Sequence, residues 1–554
     1  MDFDSFFIQE KTLGQMLDES IAKNPDGEAL IYADYGLRRS WKDYGALVDD
    51  LARGFMALGI RPGEKVALWA TNTPYWVETM FACAKIGAIL LTVNTGYRET
   101  ELEYLLQQSE CETLVVGCAH RDFDFFETVD NLVPELRELA GSGRAELDCR
   151  FGKLRRVVSM EEKPRPGAYS IAEIIALGQS VDEKEYAARQ AAVSPHDVVN
   201  MQYTSGTTGF PKGVMLTHVN ILNDAYWCTR IQRLGRQDKL CLTVPLFHCF
   251  GCVLAALGCV CSGSALVLMS NINPGQSMSV IESERCTALY AVPAVYQAIL
   301  QHRAFSRTDF SSLRTGIMGG SVCPVPLMRQ VIETMHMPEI TIAYGMTESS
   351  PAMCMTSTDD TFERRVGTAG RPMPGVEVSI RDPETGLECP LGENGEICCR
   401  GYNVMKGYYR MPEETAAVID GEGFLHSGDL GWLDEDGYLH VSGRIKDMII
   451  KGGENVYPRE IEEFISTLPG VLDVQVVAVP SRRYGEEVCA FIIPERGSNL
   501  TPADIRRHCR GKIAGLKKPR YIHMLDSYPV TTSGKIQKYK LREMAVKLFP
   551  QSML

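Results

Sequence analysis

Tyr203-Thr-Ser-Gly-Thr-Thr-Gly-Phe-Pro-Lys-Gly213 separates two apolar runs, Asp197-Val-Val-Asn-Met-Gln-Tyr203 before it and Val214-Met-Leu-Thr217 after it. Both runs have the content of short buried strands, and a helical pattern starts near His218. Between Thr204 and Gly213 lie three glycines, four aliphatic hydroxyls and one lysine. Such a loop can bring backbone N–H groups and the hydroxyls of Thr204, Ser205, Thr207 and Thr208 close to a polyanion. Gly206 and Gly209 supply the close approach, and Lys212 a mobile point charge. No Gly-Lys pair here is followed by Ser or Thr, so this is not a Walker A loop. A plain Gly/Thr-rich turn would explain GTTG by itself; the full string is far more specific.

Outward from this loop, helical and strand-like patterns alternate. On the amino-terminal side, Thr12 to Ala22 and Trp41 to Leu58 read as helices. Ala29-Leu-Ile-Tyr and Lys65-Val-Ala-Leu-Trp read as strands, and a further helix runs through Phe81 to Gly87. On the carboxyl side the strand candidates are Lys239–Val244, Ser264–Met269, Thr287–Val292, Arg314–Met318 and Ile340–Tyr344. Alternation of this kind predicts layered α/β architecture around largely parallel sheets. Ligands gather at the carboxyl ends of such strands, so the turns after them should converge on one site.

From 361 to 443 the pattern changes to short strands between Gly/Asp/Pro turns, as in a small β-barrel or distorted sheet. After 447 a compact α+β pattern follows. The expected organisation is a large domain over 1–443, with subdomains at about 1–190, 195–360 and 361–443. A hinge at 444–446 and a small domain over 447–554 complete it. The irregular, charged stretch from about 118 to 170 reads as a surface excursion.

The 554 residues hold 57 basic and 70 acidic side chains, a net charge of -13. From Asp447 onward there are 17 basic and 12 acidic residues, so the acidity resides in the first part. An acidic body argues against nucleic acid as a partner, whereas a basic tail suits small phosphorylated ligands. No apolar run reaches the roughly 18 residues of a membrane span. The opening Met1-Asp-Phe-Asp is acidic where a targeting peptide would be basic, and a cytoplasmic protein is expected. Eighteen cysteines are many for such a protein. Cys249-x-x-Cys252 and Cys259-x-Cys261 sit among apolar residues with a spacing unlike paired zinc knuckles, and buried thiols are the better reading.

Six further stretches carry chemistry. Pro245-Leu-Phe-His248-Cys-Phe250-Gly ends a strand in an aromatic cluster. Ile342-Ala343-Tyr344-Gly345-Met346-Thr347-Glu348 ends another with a flat ring, a close backbone approach and a Thr-Glu pair. That pair can hold a phosphate oxygen and Mg²⁺, which takes carboxylates together with nucleotide phosphates. His426-Ser-Gly-Asp429 and Gly443-Arg444-Ile-Lys446 are polar turns fifteen residues apart. Finally, Lys451-Gly452-Gly453-Glu454 and Thr531-Thr-Ser-Gly-Lys535 are glycine-containing basic loops.

Taken in order, these motifs resemble those of the AMP-forming adenylating enzymes over essentially the whole chain. The sequence looks closest to medium-chain-type fatty acyl-CoA synthetases. The resemblance implies an acid–thiol ligase that uses ATP and CoA as co-substrates, with Mg²⁺. A carboxylic acid first forms an acyl-adenylate and diphosphate; CoA then displaces AMP. It implies that residues 204–209 and Lys212 cradle the phosphates. Tyr344 and Gly320 would flank the adenine, with Ser321, Ala343 and Gly345 among the implied nucleotide contacts. Thr347 would meet the α-phosphate, with Glu348 and Thr208 on the metal. Asp429 and Arg444 would hold the ribose, and Lys535 would stabilise the charge that accumulates as the carboxylate attacks. Lys446 is the implied hinge residue. Lys451, Gly452, Gly453, Glu454, Tyr484 and Lys518 are the implied CoA contacts. His248 is implied beside the acyl pocket and the thiol channel. The acyl pocket would be lined by Trp227, Phe250, Gly319, Ala343, Gly345, Met346 and Ser350.

An indole at 227 close to Phe250 would leave little depth and favour short acids; core packing of Trp227 is the equal alternative. A short- to medium-chain fatty acid is the expected substrate, and the protein would act as a monomer or a homodimer. Three other readings share the nucleotide motifs. A carrier-protein-loading adenylating enzyme would differ in its thiol acceptor, a luciferase-like oxygenase would need oxygen chemistry, and a nucleotide-sensing pseudoenzyme would lack turnover. Tyr484 and Lys518 speak against the first of these, and Lys535 with Glu348 against the last.

Overall fold

The computed structural model describes residues 6–117, 123–139, 147–161, 165–205, 211–321, 323–531 and 536–550. Chain contacts divide it into two compact units, Met1–Glu377 with Cys399–Leu425, and Val378–Cys398 with His426–Leu554. None of the described helices is long and apolar enough to cross a membrane.

The first unit holds two sheets. One has nine strands, in the order Arg371–Pro372, Ala352–Met355, Glu339–Gly345, Thr315–Gly319, Ala288–Ala291, Lys239–Leu242, Ala265–Leu268, Glu28–Tyr32 and Leu37–Ser40. Its interior pairs are parallel and its edge pairs antiparallel. The interior strands are short and largely buried, as expected of a sheet covered on both faces. Four neighbouring strands, ending at Leu242, Ala291, Gly319 and Gly345, therefore release their loops along one edge.

The second sheet has eight strands, with Val198–Ser205 and Pro211–Thr217 forming an antiparallel hairpin near one end. Thr204 pairs with Lys212 and Ser205 with Pro211, so the decisive loop caps a hairpin. The helix His218–Ile231 follows directly, started by a capping box between Thr217 and Asn220.

The stretch from about 118 to 170 departs from expectation. Rather than a surface excursion, its described residues contribute the helix Phe125–Leu132 and the strands Arg156–Ser159 and Tyr169–Ser170, which extend the second sheet. Phe125, Phe126, Val129, Leu132 and Leu136 enter the core beside Trp69. Their spacing is helical; the charges between them hide it.

The second unit carries a four-stranded sheet, in the order Val376–Arg381, Gly395–Gly401, Leu425–Leu433 and Leu439–Arg444. The division between the units falls within some of these strands. The expected barrel or distorted sheet is thus an open sheet. A five-stranded sheet built on Val471–Ser481 and Gly485–Pro494 follows, packed against the helix Pro458–Ser466 through Ile461 and Ile465.

Candidate active site

At the end of the hairpin, Thr204 Oγ1 donates to Glu348 Oε1 at 3.3 Å. The Tyr408 hydroxyl donates to the same oxygen at 2.9 Å. Met405 N donates to the Glu348 carbonyl at 2.9 Å, which fixes the backbone beneath it. Burial, with the Glu348 charge adding to it, pushes the Tyr408 phenol well up, so it stays a donor. Lys212 Nζ lies 4.9 Å from the centroid of the Tyr408 ring. One tyrosine thus organises both the carboxylate and the lysine of the hairpin. A buried carboxylate with both donors on one oxygen fits a hard divalent cation on the other. Gly206, Thr207, Thr208 and Gly209 lie outside the described residues, as does Lys535.

The strand Glu339–Gly345 brings Ala343 level with Gly319 on the adjacent strand. At Gly345 a Cβ would stand 2.0 Å from the Pro351 carbonyl oxygen, so only glycine allows that approach. Gly320 sits at φ +83°, which favours glycine and turns the chain along the sheet edge beside the exposed Ser321. Tyr344 and Met346 are half-buried there. Ser350 is fully buried and its hydroxyl donates to the Asn403 carbonyl at 2.6 Å, a bracing role rather than an open lining.

The loop before His248 is clamped from the other sheet. Asn72 Nδ2 donates to the Val244 carbonyl at 3.0 Å, and Asn72 Oδ1 accepts from Leu246 N at 2.8 Å. Thr92 Oγ1 donates to the Phe247 carbonyl at 2.7 Å. Phe247 packs on the His248 ring with centroids 4.7 Å apart. Cys249 Sγ lies 3.7 Å from Thr347 Oγ1, which joins the His248 loop to the Thr347-Glu348 pair. Phe250 opens a π-helix over Phe250–Leu257, a form often found at functional sites. Its ring stacks on Tyr290 at 5.7 Å, and a Cβ on Gly319 would stand 3.9 Å from it.

Trp227 belongs to another aromatic group. It is buried against Phe6 and Phe7, with centroids 5.6 and 5.8 Å away, and Tyr226. No described ring contact joins it to Phe250. One turn earlier, Asp224 is fully buried; its Oδ2 accepts from Ala352 N at 2.9 Å, while Asn403 Nδ2 donates to the Ala352 carbonyl at 3.1 Å. Burial raises the Asp224 carboxyl well above its usual range. This ties the helix to the strand that follows the Thr347-Glu348 turn. An aspartate on an otherwise apolar helix face was the available signal for it.

In the second unit Asp429 lies opposite Arg444 in register, and Arg444 Nε meets Asp429 Oδ1 at 2.9 Å. The Asp429 turn is held by Gly428 N donating to Glu396 Oε1 at 2.9 Å and Asp429 N donating to Ser427 Oγ at 3.0 Å. Arg542 grips the Lys446 carbonyl at 2.9 Å and Asp447 Oδ1 at 2.8 Å. Burial lowers the Lys446 ammonium, with the Arg444 charge acting in the same direction.

The Lys451 ammonium is buried on Glu487 and donates to the Leu516 carbonyl at 3.0 Å. Gly452 N donates to the Tyr484 carbonyl at 2.8 Å, and Gly452 and Gly453 take φ of +66° and +87°. Glu454 is exposed on the turn and Lys518 half-buried. Lys451 therefore braces the loop from inside, leaving its backbone and the Tyr484 ring as the groups a ligand could meet.

Comparison with known proteins identifies the family to which the chain is similar. The AMP-binding enzyme family matches residues 17–409, and the AMP-binding enzyme C-terminal domain matches residues 460–535. YngI of Bacillus subtilis (strain 168), named as an acyl-CoA synthetase, is 45% identical over 97% of this chain and 98% of its own length. The human mitochondrial medium-chain acyl-CoA ligase ACSF2 is 37% identical over 97% of this chain and 88% of its own. Among solved structures, ATP-bound MatB from Rhodopseudomonas palustris superposes with a TM-score of 0.83 at 27% identity, covering 98% of this chain and all of that one. The anthranilate CoA ligase AuaEII in complex with anthranoyl-AMP gives 0.84 at 26% identity, over 98% and 99% of the two chains.

Proposed function

The chain belongs to the AMP-binding enzyme family and is an AMP-forming acid–CoA ligase, and we propose that its acid is a short- to medium-chain fatty acid activated at Glu348 and its neighbours. The reaction runs in two balanced steps. A carboxylate oxygen bonds to the α-phosphorus of ATP and diphosphate leaves; the CoA sulfur then bonds to the acyl carbon, its proton departs, and AMP leaves. Activation is needed because AMP is a far better leaving group from the acyl carbon than oxide.

The observation that carries the site assignment is the meeting of Thr204, Tyr408 and Glu348 at one carboxylate oxygen. It supports a phosphate-binding hairpin held against the Thr347-Glu348 pair. In this reading Thr204, Lys212 and Thr347 orient the phosphates, and Tyr344 with Gly320 flanks the adenine. Mg²⁺, held by Glu348 and Thr208, would neutralise charge on the phosphates. Asp429 accepts from the ribose hydroxyls with Arg444 beside it, and Lys535 stabilises the charge developing in the first step. The turn Gly452-Gly453 with Tyr484 and Lys518 receives CoA, and Lys446 is the pivot between the half-reactions.

Support for the acid's length comes from relatives named medium-chain acyl-CoA ligases. The Phe250 ring beside Gly319 supports a pocket of limited depth. The test is diphosphate exchange into ATP with single acids and no CoA. Exchange that requires an acid of about two to ten carbons, followed by AMP release that requires CoA, is the expected result. Exchange without added acid, or AMP release that proceeds fully with a carrier protein and not with CoA, overturns the reading.

A further inference from the structure

We propose that Glu396, Cys398 and His426 form a binding site for Zn²⁺ in the second unit, placed so that occupancy disturbs the Asp429 turn. The coupling part rests on the ribose role of Asp429 given above; the site itself does not. Glu396 and Cys398 are two residues apart on the strand Gly395–Gly401, so both side chains leave the same face. His426 stands on Leu425–Leu433, the neighbouring strand of the sheet. Their ligand atoms all lie within 4.8 Å of one another, the only such grouping of three among the described residues. His426 Nδ1 is 2.8 Å from Glu396 Oε2 and 3.5 Å from Cys398 Sγ.

Zinc distances of about 2.0–2.1 Å to nitrogen and oxygen and about 2.3 Å to sulfur give tetrahedral edges of roughly 3.4 Å for N–O and 3.6 Å for N–S. The N–S edge is already met, and along the N–O edge the carboxylate withdraws by roughly half an ångström. Thiolate and imidazole with one carboxylate select Zn²⁺ over Mg²⁺, and three protein ligands leave a fourth position for water. Cys398 is buried, while the His426 and Glu396 side chains keep 26% and 12% exposure, which opens the site from the histidine side. Coordination takes the proton from the Cys398 thiol to solvent, and nothing is oxidised or reduced.

The same carboxylate accepts from Gly428 N through Oε1. Drawing Oε2 onto a cation pulls that acceptor away from the turn that aims Asp429. Zinc binding and nucleotide binding should therefore oppose each other, by equal factors in either direction.

The experiment titrates Co²⁺, a spectroscopic stand-in for Zn²⁺, into the full chain kept reduced by a phosphine. A thiolate-to-cobalt charge-transfer band that Zn²⁺ displaces is expected in the wild type. It should be absent in Cys398→Ser and retained in Cys389→Ser, a control thiol elsewhere in the unit. Should Cys398→Ser fail to fold, Glu396→Gln keeps the size and the acceptor for Gly428 N and should weaken Zn²⁺ by at least about tenfold. AMP affinity should fall on adding Zn²⁺ to the wild type and stay unchanged in Cys398→Ser. No band in the wild type, or an equal band in Cys398→Ser, overturns the site. A band with unchanged AMP affinity overturns the coupling. AMP that fails to bind without any metal contradicts the ribose assignment instead, and the cobalt band still decides the metal site.

Discussion

Tyr408 hydrogen-bonds Glu348 at 2.9 Å across sixty residues of sequence, and the face of the same ring carries Lys212. Tyr408→Phe keeps the ring under Lys212 and removes only the donor. A hydrogen bond to a charged group contributes about 1.5–3 kcal/mol, so the adenylation rate should fall by about tenfold to a hundredfold. The half-saturating Mg²⁺ concentration should rise, and the chain should unfold at nearly the same temperature. An unchanged Mg²⁺ titration would remove Tyr408 from the site.

Asn72 and Thr92 hold the loop before His248 through three hydrogen bonds. Asn72→Leu leaves the Val244 carbonyl and the Leu246 N–H buried without their partner, at about 1–3 kcal/mol each. Activity should fall more than stability accounts for, with CoA-dependent thioester formation reduced at saturating substrates. Thr92→Ser, which keeps its donor, should behave as wild type. Loss of stability with normal turnover in the surviving folded protein would make the clamp purely structural.

Chain-length preference should respond to Phe250 and not to Trp227. Phe250 lies beside Gly319, whereas Trp227 is packed under Phe6 and Phe7. Phe250→Ala should move the optimum toward longer acids, each newly buried methylene being worth about 0.8 kcal/mol. Trp227→Phe should lower the unfolding temperature and leave the optimum in place. A shifted optimum in Trp227→Phe, measured as kcat/KM against acid length, would restore the indole to the pocket.

His218 gives the first unit a built-in acid sensitivity. Burial lowers its pKa from the usual 6.5 to about 3, and its Nδ1 accepts from Leu13 N at 3.1 Å. The unfolded chain therefore binds the extra proton first. The stability from a neutral buried imidazole is fully present above pH 6.5. It declines as pH falls from 6.5 toward 3, by up to about 1.4 kcal/mol per pH unit. His218→Asn keeps an acceptor near Leu13 and cannot charge. Urea unfolding from pH 7 to 4.5 should show a lower neutral stability and a shallower slope for this variant. An equal slope would place the titration elsewhere.

The hairpin was legible because a Gly/Thr loop stood between two apolar runs, and the interior strands because they were short apolar runs alternating with helical patterns. Gly345 could be read as a position needing close backbone approach, whereas Gly320 entered only through the family resemblance. What local pattern could not show were contacts between distant residues. Asn72 meets Leu246 across 174 positions, and Asp224 meets Ala352 across 128. Neither residue belongs to a motif, and each matters only because two elements happen to pack there. Phe125 and Phe126 were missed for the opposite reason: their helical spacing was present, but intervening charges masked it. Trp227 had a plausible offset from Lys212, yet the amino-terminal Phe6 and Phe7, far away in sequence, decide which way it is buried.

In the first step the carboxylate oxygen attacks the α-phosphorus of ATP. Acid labelled with ¹⁸O in both carboxylate positions, incubated with ATP, CoA and the enzyme, tests it by mass spectrometry of the nucleotide. One ¹⁸O should appear in each AMP, with the remaining label in the acyl-CoA. Label in inorganic phosphate with ADP as the nucleotide product, or AMP free of ¹⁸O, would contradict the acyl-adenylate route.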